Sequence, residues 1–156
     1  MKARQRRYNL PWSGRGRRPQ RRPNAGTHHY RTHKETARTH ITARIEYWNR
    51  YYQLRYNRIA IRNQRSRWGS CSALGNLNFN YKLLFLPPHL CDYIVVHELC
   101  HLQELNHSSQ FWSLVAKTMP EYKKYIQELR NIEQVVGSSV SGLIAIQAQY
   151  QSHTKK

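Results

Sequence analysis

Residues 97–107 read HELCHLQELNH, and this stretch decides the fold expected for the chain. Each residue of an α-helix turns by about 100°, so His97 and His101 lie about 40° apart on one face. Their imidazoles can therefore reach one ion. Glu98 projects about 60° beyond His101, close enough to touch a water molecule on that ion without binding it. This arrangement suits a Zn²⁺ ion that keeps an open coordination position.

His107 is the third candidate ligand, at the interval at which extended zinc motifs carry one. If the helix continued, His107 would point about 120° away from His101, so it can reach the same ion only if the helix ends first. Asn106 tolerates the left-handed conformation that often ends a helix. Ser108 or Ser109 can cap the next helix. The sequence therefore supplies the break that His107 needs.

A carboxylate is the alternative third ligand. Long zinc-protease motifs have a glycine where this chain has Glu104, which leaves Glu121 or Glu128 of the following helices as competitors. The expected chemistry is the same with either ligand. Zinc lowers the pKa of a bound water to about 7, and Glu98 would take the proton of that water and pass it to the leaving amine.

The remaining pattern predicts an α+β chain. A helix is expected from Glu35 to about Tyr56, followed by two or three short antiparallel strands within NRIAIRNQ, RWGSCS and LNFNYKLLFL. Three helices should follow, over residues 89–105, 109–119 and 121–134, the first of them entered through Pro87 and Pro88. We expect a basic disordered tail at 1–30, one domain at 31–136 and a weakly ordered tail at 137–156.

The charge is concentrated at the start of the chain. The chain carries 26 Lys and Arg against eight Asp and Glu, and its first 33 residues hold ten of the bases and none of the acids. Such an arm favours polyanions, so DNA or RNA is an expected partner. Three cysteines without CxxC spacing, no secretory signal and no apolar run of membrane-spanning length predict a cytoplasmic protein. An organellar transit segment is the alternative for the arginine-rich start.

The segment from Ile59 to Arg130 resembles the YgjP-like metallopeptidase domain, which is grouped with the SprT-like and WLM proteases. The resemblance rests on Arg-Trp-Gly-Ser-Cys at 67–71, Gly-x-Leu-x-Phe-Asn at 75–80, His-Glu-Leu-Cys-His at 97–101 and Asn-His-Ser-x-x-Phe-Trp at 106–112. It implies a minimal zincin-like fold, with zinc on His97, His101 and His107 and with Glu98 as the catalytic acid and base. The resemblance does not supply a particular substrate, although related proteases act on proteins crosslinked to DNA. From the expected chemistry, the substrate is a protein or peptide.

Two functional classes stay open on the sequence alone. The first is a zinc peptidase, and the second is a basic nucleic-acid-binding or adaptor protein whose zinc is only structural. The intact Glu98 favours the peptidase, because a structural site needs no acid beside its ligands. Four side chains are candidates for stabilising the transition state: Arg67, Tyr81, Tyr122 and Tyr125. The segment 67–71 is expected to line the cleft or to pack in the core.

Overall fold

The structure is a computed structural model that describes residues 25–137 and 139–153 of the 156-residue chain. In chain order the elements are α1 (Ala25–Tyr52), β1 (Arg58–Arg62), β2 (Gly69–Cys71), β3 (Asn76–Asn80), a 3₁₀ helix (Tyr81–Phe85), α2 (Pro88–Cys100), α3 (Ser109–Ala116), α4 (Tyr122–Val136) and α5 (Val140–His153). These helices and the small sheet confirm the predicted α+β class. Within the described residues, no helix combines the length and the apolar character needed to span a bilayer.

The sheet is mixed, so the prediction of antiparallel strands is correct for one strand pair and wrong for the other. β3 lies between β1 and β2, antiparallel to β2 and parallel to β1. The chain reverses between β1 and β2 and again at Gly75, which has a φ of 70° in the turn before β3. Two reversals return β3 to the direction of β1. Alternating apolar residues indicate a strand but carry no information about its partner or direction.

β3 is the inner strand, with a neighbour on each side. An edge strand in this position could pair with an extended substrate. Because β1 and β2 occupy both sides of β3, a substrate cannot add a strand there. Its side chains Leu77 and Phe79 are fully buried and form part of the core beneath the sheet.

α2 is the central helix, and α1 packs across it. Nine of its thirteen residues are buried, so the helix is covered by other elements around most of its circumference. α1 contributes Ala37, Ile41 and Ile45, all with no exposed area, at the four-residue spacing that keeps side chains on one helix face. Arg44 of α1 also donates two hydrogen bonds to the Asp92 carboxylate of α2, at 2.5 and 2.8 Å.

α1 begins at Ala25, ten residues before the predicted start. Its first turns pack on the 3₁₀ helix, where His29 and His33 lie half-buried with their rings 5.3 Å from that of Phe85. These two histidines are therefore packed against the domain, whereas His28 is exposed. Residues 1–24 of the predicted basic tail lie outside the described residues, and residues 25–30 belong to α1.

α5 occupies the segment for which the sequence predicted only a weakly ordered tail. Leu143 has no exposed area, and Gln147 donates a hydrogen bond to the Leu84 carbonyl of the 3₁₀ helix, 3.3 Å away. Val140 and Ile146 pack beside Leu143 at three-residue spacing. This apolar face explains the helix, and the surrounding Ser, Gln and Gly residues obscured it in the sequence.

Candidate metal centre

The end of α2 gives the three histidines of the HELCHLQELNH stretch their arrangement. α2 stops at Cys100, His101 occupies the C-cap, and the chain then turns without helix until Ser108. The Ser108 hydroxyl accepts a hydrogen bond from the backbone N–H of Phe111 and caps α3, as the sequence predicted. His107 is thereby turned back onto α2 rather than away from it.

The ring nitrogens of these histidines converge on one point. His97 Nε2 lies 3.2 Å from His101 Nε2 and 3.1 Å from His107 Nε2. In the described part of the chain, they form the one group whose ligand atoms lie close enough together to hold a metal ion. The structure thus brings together the three residues that the sequence selected.

The local electrostatics favour neutral imidazoles, the form that binds metals. Burial, together with the neighbouring His101 and His107, lowers the pKa of His97 to about 3. Burial also lowers the pKa values of His101 and His107. His101 Nδ1 lies 2.9 Å from the Glu104 carbonyl oxygen, which can only accept a hydrogen bond, so Nδ1 carries the proton and Nε2 presents a lone pair.

This donor set fits zinc. Two nitrogens bound tetrahedrally at about 2.1 Å from a zinc ion lie about 3.4 Å apart, close to the observed Nε2 separations. The competing ligands are placed elsewhere. The Glu128 carboxylate lies 2.9 Å from His89 Nε2, and Glu121 stands at the start of α4. Neither belongs to the histidine group.

An aromatic layer from α3 and α4 supports the histidines from one side. Phe111 stacks on His101 with ring centres 4.4 Å apart, and Trp112 stacks on His107 at 5.6 Å. Tyr122 of α4 stacks in turn on Trp112 at 4.9 Å. Rings held in this way lose little orientational freedom when they bind an ion. Phe111 and Trp112 therefore pack beneath the site, as the sequence suggested.

Glu98 is buried beside the histidines with one oxygen unsatisfied. Glu98 is 5% exposed, and its Oε2 atom has no hydrogen-bond partner among the described residues. Burial raises the pKa of Glu98 to about 8, while Arg67 acts in the opposite direction. A buried carboxylate without a partner is costly, so a cation or a hydrogen-bond donor at this point would stabilise it.

β2 approaches Glu98 so closely that residue 69 has to be glycine. A Cβ atom built on Gly69 would lie 2.7 Å from Glu98 Cγ and Oε1, inside van der Waals contact. The glycine thus allows the sheet backbone to cover the carboxylate. Gly69 thus has a steric role at the site.

A cavity of about 310 Å³ opens onto His97 and Glu98. The β2 side contributes Ser66, Arg67, Trp68 and Gly69, and the helices contribute Tyr93, Ile94, Ile126, Leu129, Arg130 and Glu133. The Trp68 indole N–H donates to Glu133 Oε1 at 2.7 Å and ties the two walls together. Arg67, Trp68 and Gly69 of the segment 67–71 therefore line this cleft, which is one of the two placements that the sequence left open.

The four side chains that are candidates for stabilising the transition state lie in different parts of the structure. Arg67 lines the cleft, whereas Tyr81 is 1% exposed and packs in the core. Tyr122 lies in the aromatic layer, and the ring centre of Tyr125 lies 5.9 Å from that of Tyr93. Of these, Arg67 alone lines the described cleft that contains Glu98.

Sequence reasoning missed Tyr93, Arg130 and Glu133. Tyr93 lies one helical turn before His97, and its hydroxyl is 3.4 Å from His97 Nδ1. The four-residue spacing from His97 could have identified Tyr93. Arg130 and Glu133 reach the cleft only because α4 packs against α2, and nothing in the local sequence signals that packing.

Comparison with known proteins gives a family and a fold. A family model described as "YgjP-like, metallopeptidase domain" matches residues 13–132. The crystal structure of the metallopeptidase zymogen of Pyrococcus abyssi abylysin is similar at a TM-score of 0.55 and 24% sequence identity, over 60% of this chain and 95% of that one. At that identity the likeness shows the fold alone. No curated protein matches the chain.

The contact between Gly69 and Glu98 gives a testable prediction. Gly69→Ala should lower the free energy of unfolding by about 1–3 kcal/mol, because the added methyl group displaces the Glu98 side chain. In a Glu98→Ala background the same change should cost little, because the obstructing atoms are gone. Urea denaturation of the four proteins measures this coupling. An equal cost in both backgrounds would show that Gly69 is required for its backbone conformation and not for space.

Proposed function

The chain belongs to the YgjP-like metallopeptidase domain family, and from this premise we propose that it is a zinc-dependent peptidase with Glu98 as its general base and acid. His97, His101 and His107 would hold the ion. The observation that carries the proposal is the position of Glu98, which is buried against the histidine group with an unsatisfied oxygen and shares a cleft with His97. That cleft leaves room for a substrate beside the proposed ligands.

The proposed chemistry divides between the ion and the chain. When bound, zinc supplies a Lewis acid that acidifies water and polarises a carbonyl group. Glu98 would accept the proton of the attacking water and deliver it to the nitrogen of the leaving amine. Burial makes the Glu98 carboxylate more basic than an exposed one, while a nearby dication favours its ionised form.

Two further residues of the cleft have roles consistent with peptide hydrolysis. The Arg67 guanidinium lines the wall beside Glu98 and would stabilise negative charge that develops on the carbonyl oxygen. Tyr93 contacts His97 Nδ1 and would hold that imidazole in its ligating orientation. Tyr93 acts through His97 and is thus a positioning residue.

The structural-zinc alternative has less support. Structural zinc sites have four protein ligands, whereas catalytic sites have three and an open position. Among the described residues, three histidines converge, and a cleft with a buried carboxylate adjoins them. A closed structural site would require neither the cleft nor Glu98.

Replacement of His107 tests the ligand set. His107→Ala should reduce zinc retained after dialysis severely, because two histidines hold the ion far less tightly than three. Glu121→Ala is the matched control and should retain one zinc per chain. Elemental analysis of both purified variants and the parent protein gives the answer. Zinc loss from the Glu121 variant alone would assign the third ligand to α4.

Replacement of Glu98 tests the mechanism. Glu98→Gln keeps the size of the side chain and removes the base, so cleavage of an unfolded protein substrate should fall by about 10²- to 10⁴-fold while zinc stays bound. Cleavage rate and zinc content should be measured on the same preparations. A zinc-loaded variant that cleaves at the parental rate would remove Glu98 from the mechanism.

We further propose that the basic N-terminal segment recruits the enzyme to protein substrates on nucleic acid. Residues 1–24 carry nine Lys and Arg and no acid. Counterion release makes such contacts strongly salt-dependent.

Deletion of residues 1–24 should therefore weaken DNA or RNA binding and flatten its dependence on salt, while zinc content and peptide cleavage persist. Fluorescence anisotropy over a salt series measures both effects, and full-length protein in which these bases are replaced by Gln is the control for chain length. Unchanged binding after deletion would move the contact surface to the domain itself.

A further inference from the structure

A second cavity adjoins the cleft that contains His97 and Glu98. It has a volume of about 230 Å³ and is lined by Arg65, Ser66, Arg67, Trp68, Asn80, Lys82, Glu133 and Gly137. Four of these residues, Ser66, Arg67, Trp68 and Glu133, also line the cleft. The two cavities are therefore neighbours that share these residues as a common wall.

The lining of the second cavity is predominantly positive. Arg65, Arg67 and Lys82 contribute three cationic side chains, and Glu133 contributes one carboxylate. One oxygen of Glu133 accepts the hydrogen bond from the Trp68 indole. Lys82 is only 7% exposed, and burial together with the charge of Arg65 lowers its pKa. Arg65 and Arg67, both exposed, outnumber the Glu133 carboxylate, so the rim of the cavity is positive and would attract an anionic group.

Asn80 gives this cavity a fixed wall. It is 3% exposed, and its side-chain N–H groups donate to the carbonyl oxygens of Gln64 at 2.8 Å and Arg67 at 3.1 Å. Its backbone N–H donates to the Trp68 carbonyl at 2.8 Å, and its Oδ1 accepts from the Lys82 backbone N–H at 3.3 Å. One buried amide thus links the loop that carries the arginines to the segment that carries Lys82.

We propose that this cavity is a subsite that binds a carboxylate of the peptide substrate, an inference that rests on the peptidase function proposed above. Guanidinium groups bind carboxylates through paired, charge-assisted hydrogen bonds, and Arg65 and Arg67 supply two such groups on one loop. The volume accommodates one side chain and lies below the roughly 300–1,000 Å³ of a typical small-molecule site. Arg65 is the specificity-determining residue, because it lines this cavity and not the cleft.

The carboxylate can come from an Asp or Glu side chain or from the C-terminus of the peptide. Both sources offer the same chemistry to the cavity. Short acetylated peptides distinguish them. In one series a single Glu, or a Gln of the same shape, is moved through an otherwise neutral amidated sequence. In the other series the C-terminus of the neutral peptide is free or amidated.

Cleavage and binding should be measured separately on full-length, zinc-loaded protein. The parent protein should cleave the preferred carboxylate peptide with a kcat/KM about tenfold above that of its neutral counterpart. The Glu98→Gln protein should show the same preference in affinity by calorimetry. Arg65→Gln should abolish both preferences, whereas Arg31→Gln, which removes an exposed arginine of α1, should leave them intact. Arg65→Glu should reverse the preference towards peptides that carry Lys.

The outcomes separate this proposal from the one on which it rests. Equal binding and cleavage of all matched peptides would overturn the subsite while leaving the peptidase function in place. A preference that survives Arg65→Gln and Arg65→Glu would overturn its location. An Arg65-dependent preference in affinity without cleavage of any peptide would support the subsite and overturn the peptidase function.

Discussion

The end of α2 at Cys100 is the constraint on which the rest of the site depends. A helix that continued would direct His107 about 120° away from His101, and the third imidazole could not join the other two. Because α2 stops and Ser108 caps α3, the chain leaves α2 in a short loop that turns His107 back towards it. The same turn places Phe111 and Trp112 against His101 and His107. The end of one helix thus brings the three histidines together and places aromatic side chains against them.

Burial of polar groups on α2 makes this arrangement depend on the whole domain. His97 and Glu98 lie on a largely apolar helix, which β2 covers through Gly69 and which α4 faces across the cleft. Desolvation favours neutral histidines and a protonated carboxyl in the absence of compensating charge. A cation at the histidine group would bind the neutral imidazoles and offset the negative charge of the ionised carboxylate. The neighbouring loop carries cationic residues. Their positive charge would favour an anionic group of the substrate, as the buried carboxylate would favour a cation.

Local patterns in the sequence predicted the part of the structure that depends on local geometry. The spacing of His97, His101 and His107, together with a break before Ser108, was enough to anticipate the convergence of three imidazoles. Long-range packing was not predictable in the same way. The parallel pairing of β1 with β3 and the approach of Arg130 and Glu133 to the cleft depend on contacts between distant segments. α5 was missed because its apolar face is narrow and its neighbours are polar.

The central claim is that His97, His101 and His107 together hold one zinc ion beside Glu98. Its most direct test is a crystal structure of the zinc-loaded protein with anomalous data collected on both sides of the zinc absorption edge. We expect one anomalous peak per chain, about 2.1 Å from Nε2 of each of the three histidines, with Glu98 outside the ligand set. A peak bound by Glu121 or Glu128 in place of His107, or a peak remote from His97, would contradict it.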